Sequence, residues 1–205
     1  MLQIELNEIE CEKIVKKAAK SENVKIIERK LENFGNDYGF LGEYFRLDIE
    51  AEMENVRTKF NFFVKSLPIK NLKQRNMLVE TGIFRKEVII YEKLLLHLNE
   101  LSGKKNFWCA DVFFFRDDLL VLENLSLKGY KMLPFRFRFE ICHVKATLKS
   151  LASFHASSIF YEETNGEKSI EKEFKEVLFE TSVANIKWYH AGLKVNFSKT
   201  KLKII

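Results

Sequence analysis

Two charged residues stand where charge is out of place. Lys65 lies near the end of the apolar run Lys59-Phe-Asn-Phe-Phe-Val-Lys65. That run alternates with a period of two and sets Phe60, Phe62 and Val64 on one face, with Lys65 and Phe63 on the other. Twenty-two residues on, Glu87 borders the stripe Phe84, Val88, Tyr91, Leu95 and Leu98, whose spacings of four, three, four and three are helical. A strand-borne cation oriented by a carboxylate on the next helix is one way to grip the α- and β-phosphates of a nucleotide. The plainer reading is an edge-strand lysine that discourages aggregation and a solvated glutamate, and spacing alone favours two such surface residues. Glu80 and Glu92 are rival carboxylates in the same helical region, but neither is bracketed by Phe84 and Tyr91.

Other segments bear on the same chemistry. Gly35-Asn-Asp-Tyr-Gly39-Phe-Leu-Gly42 lies between two strand patterns, so it is neither a Rossmann nor a Walker-type loop, each of which joins a strand to a helix. It reads as an ordinary hairpin, with a flap whose backbone N–H groups cover phosphates as the alternative. The strand Leu119-Leu-Val-Leu-Glu-Asn-Leu125 offers the Glu123 carbonyl and the Leu125 N–H to an adenine edge, or is simply a core strand with an exposed exit. His143 and His155 sit twelve residues apart on one helical pattern, some 18 Å by helical rise, too far to share a metal. Ser153, Ser157 and Ser158 have no adjacent base. HExxH, GxSxG and Cys/His metal spacings are absent from the sequence, which removes support for metalloprotease, serine hydrolase and zinc-finger chemistry.

The elements that must position these residues follow from pattern. Asn7 and Glu10 form a capping box for a helix over about residues 8–20, with Ile14, Val15, Ala18 and Ala19 on its apolar face. Strands are expected at 24–29, 43–50, 59–65, 112–115 and 119–122, with a polar turn at 51–58 and a tight turn at Arg116-Asp117-Asp118. One long helix carries the Phe84–Leu98 stripe and closes at Gly103. Beyond residue 139 only helices are expected, at 139–160 and 170–189. The class is therefore α+β, a sheet lobe running into an all-helical one.

Composition sets the outer bounds. The chain has 205 residues, 46% of them apolar and 31% charged, as a folded globular chain should. The formal net charge of +5 is mild and spread along the chain, so nucleic acid is not expected as a partner. No segment approaches the roughly 20 apolar residues of a membrane span. Three widely spaced cysteines, Cys11, Cys109 and Cys142, form no disulfide framework and suggest a reducing, cytoplasmic setting.

Taken together, Gly39-Phe-Leu-Gly-Glu-Tyr-Phe-Arg46, Phe62-Phe-Val-Lys-Ser-Leu-Pro68, Phe84-Arg-Lys-Glu-Val-Ile-Ile-Tyr91, Leu120-Val-Leu-Glu-Asn-Leu125 with Gly129-Tyr130, and His143…Leu151-Ala-Ser-Phe-His-Ala-Ser157 resemble the insect ecdysteroid kinase-like family. These CHK-domain kinases are related to choline kinases and aminoglycoside phosphotransferases, and the resemblance runs in order from about residue 8 to 195. It implies a protein-kinase-like fold that uses ATP and Mg²⁺ to phosphorylate a hydroxyl of a small lipophilic molecule. By that resemblance Lys65 holds phosphates, Glu87 pairs with it, Glu123 to Leu125 form the adenine hinge, and Gly39 and Gly42 belong to the flap. Residues 1–125 are the N-lobe with its extra helix, 126–195 the hinge and a partial helical C-lobe, and 196–205 an irregular tail.

One departure decides what the chain is expected to do. The resemblance calls for an H-G-D-x-x-x-x-N type loop after the helix ending near residue 160, and for a second aspartate that holds Mg²⁺. The last aspartate in the chain is Asp118, so residues 119–205 hold neither. Mg²⁺ needs hard oxygen ligands, and without base and metal most of the acceleration of phosphoryl transfer is gone. The sequence therefore leads to the expectation of a truncated, catalytically silent kinase-like chain with no catalytic or metal residues of its own. A pseudokinase-like protein that binds a nucleotide or a lipophile and works through a partner is the alternative. An unrelated α+β interaction domain would be indicated if Lys65 and Glu87 pointed to different sides of the sheet.

Overall fold

The computed structural model describes residues 4–34, 41–101, 108–133, 138–166, 169–176 and 178. Helix α1 (Glu8–Ala19) starts at Asn7, whose side chain and that of Glu10 each accept the other's backbone N–H, the expected capping box. Five strands follow: β1 (Lys25–Asn33), β2 (Glu43–Met53), β3 (Val56–Ser66), β4 (Val112–Arg116) and β5 (Leu119–Glu123). They form one antiparallel sheet in the order β1-β2-β3-β5-β4. The α+β class is thus as expected.

Two features of the sheet differ from the sequence reading. Residues 51–58 are not a polar turn. β2 and β3 continue through them and meet in a two-residue hairpin at Glu54 and Asn55, both with positive φ (50° and 64°). Positive φ at both central residues is the turn whose twist suits a hairpin. The charged, threonine-containing ends of these strands hid them from an apolar alternation test. The second feature is position: β3 lies in the middle of the sheet, so Lys65 is not an edge-strand lysine.

Alternation along the strands builds two faces. Phe45, Leu47, Ile49 and Ala51 of β2, with Phe62 and Val64 of β3, are buried beneath Cys11, Ile14 and Val15 of α1. Arg116 fastens that helix to the sheet, donating to Glu10 Oε1 (2.7 Å) and to the Glu5 carbonyl (3.2 Å). The opposite face carries a second core of Leu120 and Leu122 with Leu67, Leu78, Phe84 and Val88.

The expected single long helix is a broken series. Helix α2 (Leu72–Thr81), capped by Asn71, ends at Gly82, and α3 (Ile83–Ile89) begins there in a new direction of chain. Gly82 has φ of +69°, a conformation costly for any residue with a Cβ. A π-helical turn (Ile90–Leu94) then leads into α4 (Leu95–Leu101). The wider turn changes the phase of the stripe, so Leu94 and Leu98 are buried rather than Leu95. Gly103, expected to close the helix, lies outside the described residues. After β5 a short 3₁₀ turn (Leu125–Lys128) leads on to α5 (Ile141–Thr164) and α6 (Ile170–Glu173). The rest of the helix expected to run to residue 189, and the tail 196–205, fall outside the described residues. Among those described, no helix is long and apolar enough to cross a membrane.

Candidate active site

Lys65 emerges on the face away from α1, because it alternates with the buried Val64 and Phe62. Pairing across the sheet sets its neighbours: Tyr44 lies opposite Lys65, Arg46 opposite Phe63 and Asp48 opposite Asn61. Glu87 comes from α3. Phe84 and Val88 of that helix are buried against the sheet, which turns the side of the helix carrying Glu87 toward β3. Both Glu87 oxygens accept from Lys65 Nζ at 2.6 Å. The pair is partly sheltered, with 18% of the Lys65 side chain and 28% of the Glu87 side chain exposed. The sequence alternative in which the two point to different sides is therefore excluded. Glu80 and Glu92, the rival carboxylates, instead line separate surface cavities with Arg85.

The surroundings shape this pair. A Cβ on Gly42 would come within 2.8 Å of the Ser66 carbonyl oxygen and 3.6 Å of Lys65 Cε, so the backbone there passes directly against the lysine. Gly39, with the rest of residues 35–40, lies outside the described residues. Tyr44 has its hydroxyl pKa raised, by burial first and then by the negative charge of Glu87. Phe63 is flanked by Phe34 (ring centroids 5.9 Å) and Tyr44 (5.7 Å), which makes an aromatic cluster beside the charge pair.

Glu123 sits opposite Phe62, three residues beyond the Leu120 that faces Lys65. This is a step of about 10 Å along the strand, a separation a nucleoside diphosphate can bridge. Its N–H donates to the Asp111 carbonyl (2.8 Å), and its carboxylate pairs with Lys128 through Oε1 while Oε2 is buried without a partner. Leu125 opens the 3₁₀ turn, where the first N–H groups have no partner within the turn. Its carbonyl accepts from Tyr130 N–H (3.2 Å). Lys65, Glu87 and Gly42 therefore come together, whereas Glu123, paired with Phe62, belongs to the α1 side of the sheet, and Leu125 follows at the exit of β5.

Over residues 37–201 the chain matches the family model of the ecdysteroid kinase-like family. The chain belongs to the ecdysteroid kinase-like family. No curated protein and no solved structure matches it. The family is kinase-like, in accord with the mixed fold and its five-stranded antiparallel sheet.

Sequence reasoning missed several participants in this ecdysteroid kinase-like fold. Asn61 and Asn124 lie on the open face and bond to each other, and nothing in their composition marks them. The period of two in 43–50 did place Tyr44, Arg46 and Asp48 on one face, and only the strand register shows that this face is shared with Lys65. A trio that spacing did not suggest, Glu140, Cys142 and His143, gathers potential ligand atoms within 4.8 Å at the start of α5. All three cysteines are free thiols.

Mg²⁺ requires oxygen ligands with valence to spare. Both oxygens of Glu87 are already engaged by Lys65, and the sequence holds no aspartate after Asp118. Among the described residues, those at this site do not fit a kinase metal centre.

Proposed function

We propose that this chain is the nucleotide-gripping part of a small-molecule kinase and does not transfer phosphate on its own. The reading rests on the Lys65–Glu87 pair, made on the open face of the central strand and against the close-passing backbone of Gly42. In this reading Lys65 holds the α- and β-phosphates of ATP, and Glu87 keeps its ammonium directed into the cleft. The Glu123 carbonyl and the Leu125 N–H read the adenine edge. Residues 1–125 act as the gripping lobe, while 126–195 supply the hinge and the first helices of a second lobe. The parent reaction is transfer of the γ-phosphoryl group to a hydroxyl of a small lipophilic molecule, as family membership suggests. The absence of aspartate from residues 119–205 supports binding without transfer, and a nucleotide- or ligand-binding role exercised through a partner is the second reading.

Titration of ADP and ATP into the full chain tests this, alongside transfer from labelled ATP with Mg²⁺ to ecdysteroid and choline acceptors. Wild type is expected to bind, Lys65→Met to bind at least about tenfold more weakly, and neither to transfer. Turnover of about 1–100 s⁻¹ would refute the silent-chain claim. Equal affinity of wild type and Lys65→Met would refute the grip.

A further inference from the structure

The open face of the sheet carries a second polar feature, distinct from the charge pair. Arg46 donates through Nη2 to Glu32 and through Nε to Asp48 Oδ2 at 2.8 Å. Asp48 Oδ1 accepts from Asn61 Nδ2, and Asn61 Oδ1 accepts from Asn124 Nδ2. Asn124 Oδ1 then accepts from the Ser126 backbone N–H (3.1 Å) and from Ser126 Oγ (2.7 Å). The series crosses from β1 through β2 and β3 and ends at the residue between Glu123 and Leu125.

Its direction is fixed by chemistry. A carboxylate only accepts, so Asn61 must turn its NH₂ toward Asp48 and its carbonyl toward Asn124. Asn124 must then give its NH₂ to Asn61, which leaves its carbonyl for Ser126. Each amide has two orientations: the charge on Asp48 selects that of Asn61, and the Ser126 N–H, which can only donate, selects the matching one at Asn124, so the two ends of the series agree. An isolated exposed ion pair contributes about 0–1 kcal/mol and positions little. Here the charge also sets which way Asn61 faces, and with it the acceptor that holds Asn124 Nδ2 while Asn124 Oδ1 caps the Ser126 N–H.

We propose that Asp48 is a positioning residue: through Asn61 and Asn124 it fixes the backbone of residues 123–126, the segment that presents its carbonyl and N–H to the purine edge. Asp48 does not itself touch the nucleotide. The inference rests on the nucleotide reading for its functional consequence, but its structural part is separable, and the experiment keeps the two apart.

The test is amide hydrogen exchange on the full chain for wild type, Asp48→Asn, Asn124→Ala and the double variant, with ADP affinity measured on the same samples. Asp48→Asn keeps the shape and removes the charge. The expected result is exchange in the Leu125–Gly129 segment about tenfold faster in Asp48→Asn, the scale set by losing one hydrogen bond to a charged group. Protection of α1 and β1 should be unchanged. Glu32→Gln, at the far end of the series, should leave the 125–129 segment unaltered. The double variant should exchange no faster there than Asn124→Ala alone, because both changes cut the same line. ADP binding should weaken about tenfold in Asp48→Asn. If wild type binds no ADP while the exchange effects appear, the positioning stands and the nucleotide reading falls. Unchanged exchange at 125–129 in Asp48→Asn overturns the proposal. So does an equal acceleration on the Asn124→Ala background, since that marks a general loss of stability.

Discussion

Between residues 4 and 123 the apolar side chains are covered from two sides. The sheet has α1 over one face and α2 and α3 over the β4–β5 part of the other, which leaves the part at Arg46 and Asp48 open, and Leu47, Ile49, Val64, Leu119, Leu120 and Val121 are all fully buried. Along α5 the situation is reversed. Of its 24 residues only Ser157 and Tyr161 are buried, and Ile141, Leu148 and Ile159 are 70%, 58% and 58% exposed. Among the described residues its packing includes a small cluster in which Tyr161 meets Leu94, Leu98 and Phe174, with Phe154 edge-on to Trp108 (5.5 Å). The difference separates two kinds of helix in one chain. Those on the sheet are held by packing, so the side chains they present are placed with precision. Helix α5 keeps its backbone bonds but leaves most of its apolar stripe uncovered. Glu87 is on a helix of the first kind, and Lys65 and Asp48 are on the sheet beneath it.

The largest expected effect that sharpens this contrast is a matched pair of truncations. Leu47→Ala removes a fully buried side chain beneath α1 and should cost about 2–5 kcal/mol. Leu148→Ala, on α5, should change stability by no more than about 0.5 kcal/mol. Denaturant melts of both variants check this, and equal costs would dissolve the contrast. Limited proteolysis reads the same difference without mutation. First cuts are expected beyond residue 130, because local opening is easiest where few apolar contacts must break. Early cuts within β2 or β3 would contradict it.

A pH effect of intermediate size has its lowest-pH source on the sheet side, although burial also raises the Cys109 thiol and pushes the Tyr161 hydroxyl of α5 up to about 12. Burial of the α1 face against the sheet pushes the Cys11 thiol up to about 11, from 9.0. The unfolded chain therefore ionises this thiol first. Its contribution to stability is complete below about pH 9 and is lost as pH rises toward 11, by up to about 2–3 kcal/mol. Cys11→Ser should flatten stability over this range, most cleanly below pH 10, where the buried Tyr91 hydroxyl, itself pushed up to about 12, has not begun to contribute. An alkaline decline identical to wild type would show that Cys11 is not its source.

The smallest effect concerns the charge pair. Breaking Lys65–Glu87 should cost about 1 kcal/mol in a double-mutant cycle, since both side chains remain partly in water. A coupling of several kcal/mol would mark the pair as structural rather than as a grip held ready for phosphate.

Much of this was legible in the sequence, for reasons that differ from residue to residue. The capping box at Asn7 and Glu10 is local and needs no tertiary information. The alternation Phe60, Phe62, Val64 fixed which way Lys65 faces, and the stripe from Phe84 fixed which side of its helix Glu87 borders. Their meeting needed the register of a central strand, which pattern cannot supply: from spacing alone two surface residues were the better reading. The break at Gly82 escaped because the helical stripe begins only beyond it, at Phe84, and the π turn because one added residue changes phase without changing composition. The asparagine link to the turn at 124–126 escaped because Asn61 and Asn124 are far apart in the chain and ordinary in type.

The central claim is that Lys65 is a phosphate grip on the open face of the sheet. Its most direct test is labelling with an acyl-phosphate derivative of ATP, which acylates a lysine lying against the bound phosphates. After digestion of the full chain, mass spectrometry should find the label concentrated on Lys65 and suppressed when free ATP is added first. Label spread over exposed lysines such as Lys59 and Lys30, with no protection by ATP, would contradict the account.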